Sequence, residues 1–211
     1  MASAITKQKI LDNAVVCFNR DGIANVRLQH IAEEAIMSIG NMTYHFRTKD
    51  VIVQAVWEQL VRRQQILLNE FRVLPLFEDI DRLLASTFAL QQEYRFFYLD
   101  TLEIMRSYPE IQIAHAQHIQ WQVQQMGLAI QFNLSRGAFS TEAGDAHFFH
   151  LARQFWMTTD LWMYRQSVQQ YAVDNFLSFR EAIWALFIPC FTDMGLREFQ
   201  QLNALNLEKI F

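Results

Sequence analysis

Proline and glycine are scarce, with 3 and 6 among 211 residues. Both residues punctuate regular structure, so their scarcity leaves long uninterrupted stretches. No apolar alternation recurs at turn-bounded spacing, which argues against a sandwich or barrel of short strands. Cysteine is down to two, Cys17 and Cys190. They lie far apart in apolar helical patterns, so they read as buried reduced thiols and exclude a disulfide scaffold. Charged residues make up only 19% and hydrophobic residues 52%, a balance that excludes disorder. The longest apolar run, Ala182 to Phe191, is far too short to span a bilayer. The start of the chain, Met1 to Lys9, is polar and charged and lacks the apolar core of a signal peptide. A cytoplasmic protein without membrane contact is therefore expected. No Gly-x-Ser-x-Gly elbow and no glycine-rich phosphate loop occurs. A hydrolase or a nucleotide enzyme would lack its nucleophile or its cradle, so neither an enzyme nor a cofactor is implied.

The net charge of -4 is unevenly spread. Residues 1–63 hold 8 Lys+Arg against 6 Asp+Glu, and the remainder 10 against 16. A mildly basic head precedes an acidic body. That pattern suits a site-specific reader of nucleic acid better than a general coat.

Helical periodicity predicts an all-α chain. Ile10, Leu11, Ala14, Cys17 and Phe18 make one apolar face of a first helix, from about Ser3 to Arg20, stopped at Asp21-Gly22. A second spans roughly Arg27 to Ala35 and a third Ser38 to Tyr44, with Ser38 as N-cap. Thr48 caps a fourth that runs to about Arg72, before Pro75. Further helices are expected over about 76–92, 94–106, 109–133, 141–168 and 174–194, with a short last one after Gly195. The expected organisation is a helix-turn-helix domain over 1–50 and a helical bundle over 51–211.

The segment Ser38 to Lys49 is the most informative. Two short helices separated by a few residues are the sequence form of a helix-turn-helix. The second is too short and too polar to be a core helix. Its Asn, Thr, Tyr and His can hydrogen-bond phosphates and base edges. The pattern as a whole resembles the DNA-binding domain of the tetracycline-repressor (TetR/AcrR) family. The likeness rests on Ile10-Leu11-x-x-Ala14-x-x-x-Phe18-x-x-x-Gly22, Ile31-Ala32-x-x-Ala35, Ser38-x-Gly40-Asn41-Met42-x-Tyr44-His45-Phe46 and Lys49. Four positions depart from the family pattern. Ile36 stands in the turn where glycine is common, which implies local strain. Arg27 replaces a small hydroxyl residue, losing a cap and gaining a possible phosphate contact. Ile39 and Thr43 replace lysine and tyrosine.

The resemblance implies a homodimeric, ligand-responsive transcriptional regulator, usually a repressor, that binds a double-stranded operator. Candidate DNA contacts are Arg27, Ser38, Ile39, Gly40, Asn41, Thr43, Tyr44, His45 and Lys49. Met42 and Phe46 read as core. The stretches 148–164 and 176–188 are apolar nearly all round, so each must be buried on more than one side. They occupy the place where family members dimerise. Phe148, Phe155, Trp162, Phe179, Ile183 and Phe187 are therefore expected at a subunit interface. A small-molecule effector, hydrophobic or amphipathic, is expected against Phe97, Tyr98, His118, Trp121, Phe155, Trp156 and Asp160. The alternative is a helical-bundle metal protein or a metal-responsive regulator. It would use His115 with His118 or His147 with His150, pairs whose i,i+3 spacing shares a helix face.

Overall fold

The computed structural model describes residues 2–71, 74–169 and 175–208. Among them all regular structure is helical, apart from one isolated bridge between Phe139 and Phe191. The chain divides into two compact units. The first comprises 1–64 and 90–116, the second 65–89 and 117–211. By packing, the first unit draws residues 90–116 into its core.

The first unit opens with α1 (Ala2–Asp21), α2 (Leu28–Glu34) and α3 (Ile39–His45), followed by α4 (Lys49–Phe71). Each forms near its expected place; the expected end of α4 at Arg72 falls outside the described residues. Ile10, Ala14, Cys17, Phe18, Ile31 and Met42 are buried, as the apolar spacing requires. α2 ends in a Schellman turn: Met37 N–H donates to Ala32 O at 2.9 Å and Ile36 N–H to Glu33 O at 3.0 Å. That turn needs a left-handed residue, and Ile36 supplies it at φ 52°, so the expected strain is present.

Head helices alone bury little. The rest of the core comes from α6 (Arg95–Leu99) and α7 (Thr101–Ser107). Phe96 packs on Phe18 with ring centroids 5.1 Å apart. Asn19 accepts from Phe96 N–H at 2.9 Å and donates to Glu93 O at 2.7 Å. Asp100 accepts from Ile23 N–H at 3.2 Å. Asp100 also interrupts the single helix expected over 94–106, splitting it into α6 and α7.

In the second unit, α8 (Pro109–Ser135) brings its C-terminal half alongside α9 (Gly144–Asp160), α10 (Trp162–Gln169), α11 (Phe176–Phe187) and α12 (Asp193–Glu208). One helix was expected over 141–168. It breaks at Leu161, where Thr159 Oγ1 donates back to Phe155 O at 2.7 Å, a contact that bends helices. The start of the helix expected from 174 lies outside the described residues. Rings of Phe77, Phe139, Trp184, Phe187, Phe191 and Phe199 build the core, with centroids 4.8–6.2 Å apart. Asp81 accepts from Arg180 Nε and from Trp184 Nε1, the latter at 2.8 Å. α12 begins before Gly195, not after it. A Cβ at Gly195 would sit 2.3 Å from Ala138 O, so this glycine permits the helix to pack rather than ending one. Both cysteines are buried and free, and burial pushes both thiols up.

Candidate nucleic-acid interface and ligand groove

α3 is short because its ends are capped close together. Ser38 Oγ accepts from Asn41 N–H at 3.2 Å, so Ser38 is spent as an N-cap. Met42 is fully buried and Phe46 nearly so, which pins one face of the helix into the core. The other face carries Ile39, Gly40, Asn41 and Tyr44, all exposed, with Tyr44 at 82%. Thr43 and His45 are half-buried. The Thr43 hydroxyl donates into its own helix, at 3.0 Å from Ile39 O and 3.1 Å from Gly40 O. A Cβ built on Gly40 would meet nothing within 4 Å. The fold therefore does not demand glycine there.

Arg27 is exposed at the N-cap of α2 and makes no side-chain cap. Its own N–H is capped by His30 Nδ1 at 3.3 Å, which offsets the missing hydroxyl residue. Lys49 behaves differently from the expectation of an outward charge. Its ammonium donates to Ile23 O and is half-buried, and burial lowers its pKa. It ties the start of α4 to the turn after α1. The cation that the motif did not single out is Arg47, which is exposed two residues after α3. Its signal in the sequence was only its place beside the motif.

The residues expected around an effector are divided. Phe97 and Tyr98 are buried in the first unit, where the Tyr98 hydroxyl accepts from Gln64 Nε2 at 3.0 Å. The others belong to the second unit. His118 is buried and stacks on Trp121 at 5.5 Å, and Phe155 packs on Phe187 at 5.9 Å inside the core. A groove of about 640 Å³ runs between α8 and α9. Val123 and Leu128 on one side and Phe148, Phe149, Trp156 and Met157 on the other make it largely apolar, and Gln120, Gln124 and Gln131 add polar points. Asp160 ends α9, and burial pushes its carboxyl up to about 7.

The residues expected at a subunit interface lie inside the single chain. Phe148, Phe155, Trp162, Phe179, Ile183 and Phe187 are all buried within the single chain, between 0% and 8% exposed. They pack α9, α10 and α11 against one another. The same helices turn a different stripe outward: Phe149, Met157, Leu161, Tyr164, Val168 and Leu177, each 46–61% exposed.

The histidine pairs do not gather ligands. Among the described residues no three His, Cys, Asp or Glu side chains are placed to hold a metal ion. His115 lies edge-on to Phe97 at 5.3 Å, both its ring nitrogens lack a partner, and burial lowers its pKa to about 4. His147 Nε2 lies 3.3 Å from Cys190 Sγ. Among the described residues no helix is long and apolar enough to cross a membrane.

A capped, solvent-facing second helix in a three-helix head, followed by a helical body, defines a helix-turn-helix DNA-binding regulator. Comparison with known proteins makes this specific. Residues 10–56 match the profile of bacterial regulatory proteins of the tetR family, and residues 54–199 match a TetR profile described as bacterial transcriptional repressor. The chain belongs to the TetR family of transcriptional regulators. A TetR-family regulator from Marinobacter aquaeolei VT8 superposes with a TM-score of 0.80 at 21% identity, covering 92% of this chain and 96% of that one. A transcriptional regulator from Saccharomonospora viridis in complex with choline gives 0.72 at 19%, covering 85% and 94%. The SmeT–triclosan complex gives 0.63 at 19%, covering 90% and 93%. At these identities the likeness is one of fold. No curated protein matches.

Proposed function

We propose that this chain is a homodimeric, ligand-responsive repressor of the cytoplasm. Residues 1–50 read DNA and 51–211 carry effector binding and dimerisation. The observation that carries the reading is the outward face of α3. Its N-terminal turn offers a glycine that the fold does not need, next to exposed Asn41 and Tyr44. In this reading Gly40 lets the backbone approach the major groove, and Asn41, Thr43 and Ile39 meet base edges. Tyr44, His45, Arg27 and Arg47 hold phosphates. Ser38 and Lys49 serve the site indirectly, by capping α3 and fixing the turn beside it.

Two heads related by a twofold axis would read half-sites of a near-palindrome about 34 Å apart. The part of the outward stripe beyond the groove, Leu161, Tyr164, Val168 and Leu177, supplies the dimer surface. An exposed apolar strip of this length is costly in water and is covered most simply by its own copy. The effector is a hydrophobic or amphipathic small molecule. Solved structures of similar fold carry triclosan and choline, and SmeT is the repressor of a multidrug efflux pump in Stenotrophomonas maltophilia. Within the first unit, Asn19 and Asp100 tie Glu93 and the α6–α7 segment to α1 and the turn after it, which offers a route to the head. An effector shifts operator affinity only by its differential affinity for the two arrangements. The test is operator affinity by fluorescence anisotropy, with and without saturating effector. A fall of tenfold or more is expected, and equal affinity would sink the repressor-type switch.

A further inference from the structure

Phe149, Arg153, Trp156 and Asp160 recur along α9 at spacings of four, three and four, which places them on one flank of the helix. The first three line the groove, and Asp160 continues their flank by one turn. Burial raises the pKa of the Asp160 carboxyl, while the residue keeps some accessible surface at the end of the groove-lining flank. Among the described residues none donates a hydrogen bond to it and no cation pairs with it. One turn back, the Trp156 indole N–H is buried and also lacks a partner. A carboxyl without a counter-charge and a donor without an acceptor each cost free energy in a water-poor interior, until an outside group satisfies them.

The chemistry of that flank is selective. An anion is repelled by an ionised Asp160. A neutral apolar molecule leaves its charge unanswered. An organic cation neutralises the carboxylate and can stack on the indole of Trp156. Its apolar frame can lie along Val123 and Met157 of the groove. Arg153 does not compete: it sits two turns back, with its guanidinium 5.6 Å over the Phe149 ring, away from the Asp160 end.

We infer that the effector of this regulator is an organic cation anchored by Asp160, with Trp156 as its aromatic partner; the inference rests on the ligand-responsive reading above. Desolvation alone raises the Asp160 pKa, so a bound cation draws the carboxyl into its charged form and releases a proton.

Phenyltrimethylammonium, its neutral isostere tert-butylbenzene and the anion benzoate test this on the full chain, by calorimetry in buffers of different ionisation enthalpy. The wild type should bind the cation at least tenfold more tightly than the isostere, with proton release near neutral pH. Asp160→Asn should lose tenfold or more for the cation and keep its affinity for the isostere. Trp156→Leu should lose several-fold for the cation and serves as the second variant. No binding of the cation, equal cation affinity in wild type and Asp160→Asn, or a wild-type preference for isostere or anion overturns the inference. If the isostere or benzoate instead weakens operator binding, the ligand-responsive reading survives and the Asp160 assignment fails. If the cation binds through Asp160 without altering operator affinity, the site stands and the regulatory reading fails.

Discussion

Ile36 is the one non-glycine residue with positive φ among the described residues, at 52°. A left-handed conformation costs an L-residue about 1–2 kcal/mol, and a β-branched side chain tolerates it poorly. The side chain offers little in return, being 88% exposed. Ile36→Gly removes the strain but adds about 0.5–1 kcal/mol of unfolded-state entropy. The expected net gain is about 0.5–1 kcal/mol, or roughly 1–4 °C in Tm for a chain of this size. Both hydrogen bonds of the Schellman turn are backbone bonds and should survive the change. Urea unfolding of wild type, Ile36→Gly and Ile36→Ala measures the effect. Ile36→Ala keeps a Cβ in the left-handed region and should gain less than glycine. The reasoning is refuted if Ile36→Gly is no more stable than the wild type, or if alanine stabilises as much.

Gly40→Ala should raise stability by up to about 1 kcal/mol through helix propensity while weakening operator binding by tenfold or more, because the methyl occupies the space left for DNA. Improved stability with unchanged operator affinity would remove Gly40 from the interface. Leu161→Glu should yield a folded monomer in light scattering, whereas Phe179→Ala, which empties a core site, should destabilise by about 3–5 kcal/mol. The opposite pattern would restore the buried ring to the interface. Asp160 titrates near 7 in the folded chain and at its ordinary 3.8 when unfolded. Between those values the unfolded chain has lost a proton that the folded chain keeps, so this group's contribution falls as pH rises and the penalty is complete above about 7. Asp160→Asn should therefore be more stable than wild type at pH 8, by on the order of 2–4 kcal/mol. That gap should narrow by more than half at pH 5, and a gap independent of pH would contradict the burial.

The head was legible in the sequence because short-range rules govern it. A hydroxyl caps α3, a 3.6-residue period buries Met42, and a turn without glycine strains at Ile36. What escaped were contacts over distance. Nothing local to Lys49 tells that its ammonium meets Ile23 O. Gly195 read as a terminator, since its packing reason, Ala138 O, lies 57 positions earlier in the chain. The outward stripe escaped for a different reason. A helix apolar all round has no preferred orientation until its neighbours are known. Phe179 and Ile183 go inward because Phe88 and the aromatic core await them, which leaves Leu177 outside. The spacing of eight and then four across Phe149, Met157 and Leu161 was present but indistinguishable from the buried stripe beside it.

The most direct measurement is selection of bound sequences from a random duplex pool by the full chain, with Asn41→Ala/Tyr44→Ala/Arg47→Ala as control. A near-palindromic site with half-sites one helical turn apart should emerge. The protein should bind it with a steep salt dependence, and the triple variant should not retain it. No enriched site, or one bound equally by the triple variant, would contradict the account of α3 as the reading helix.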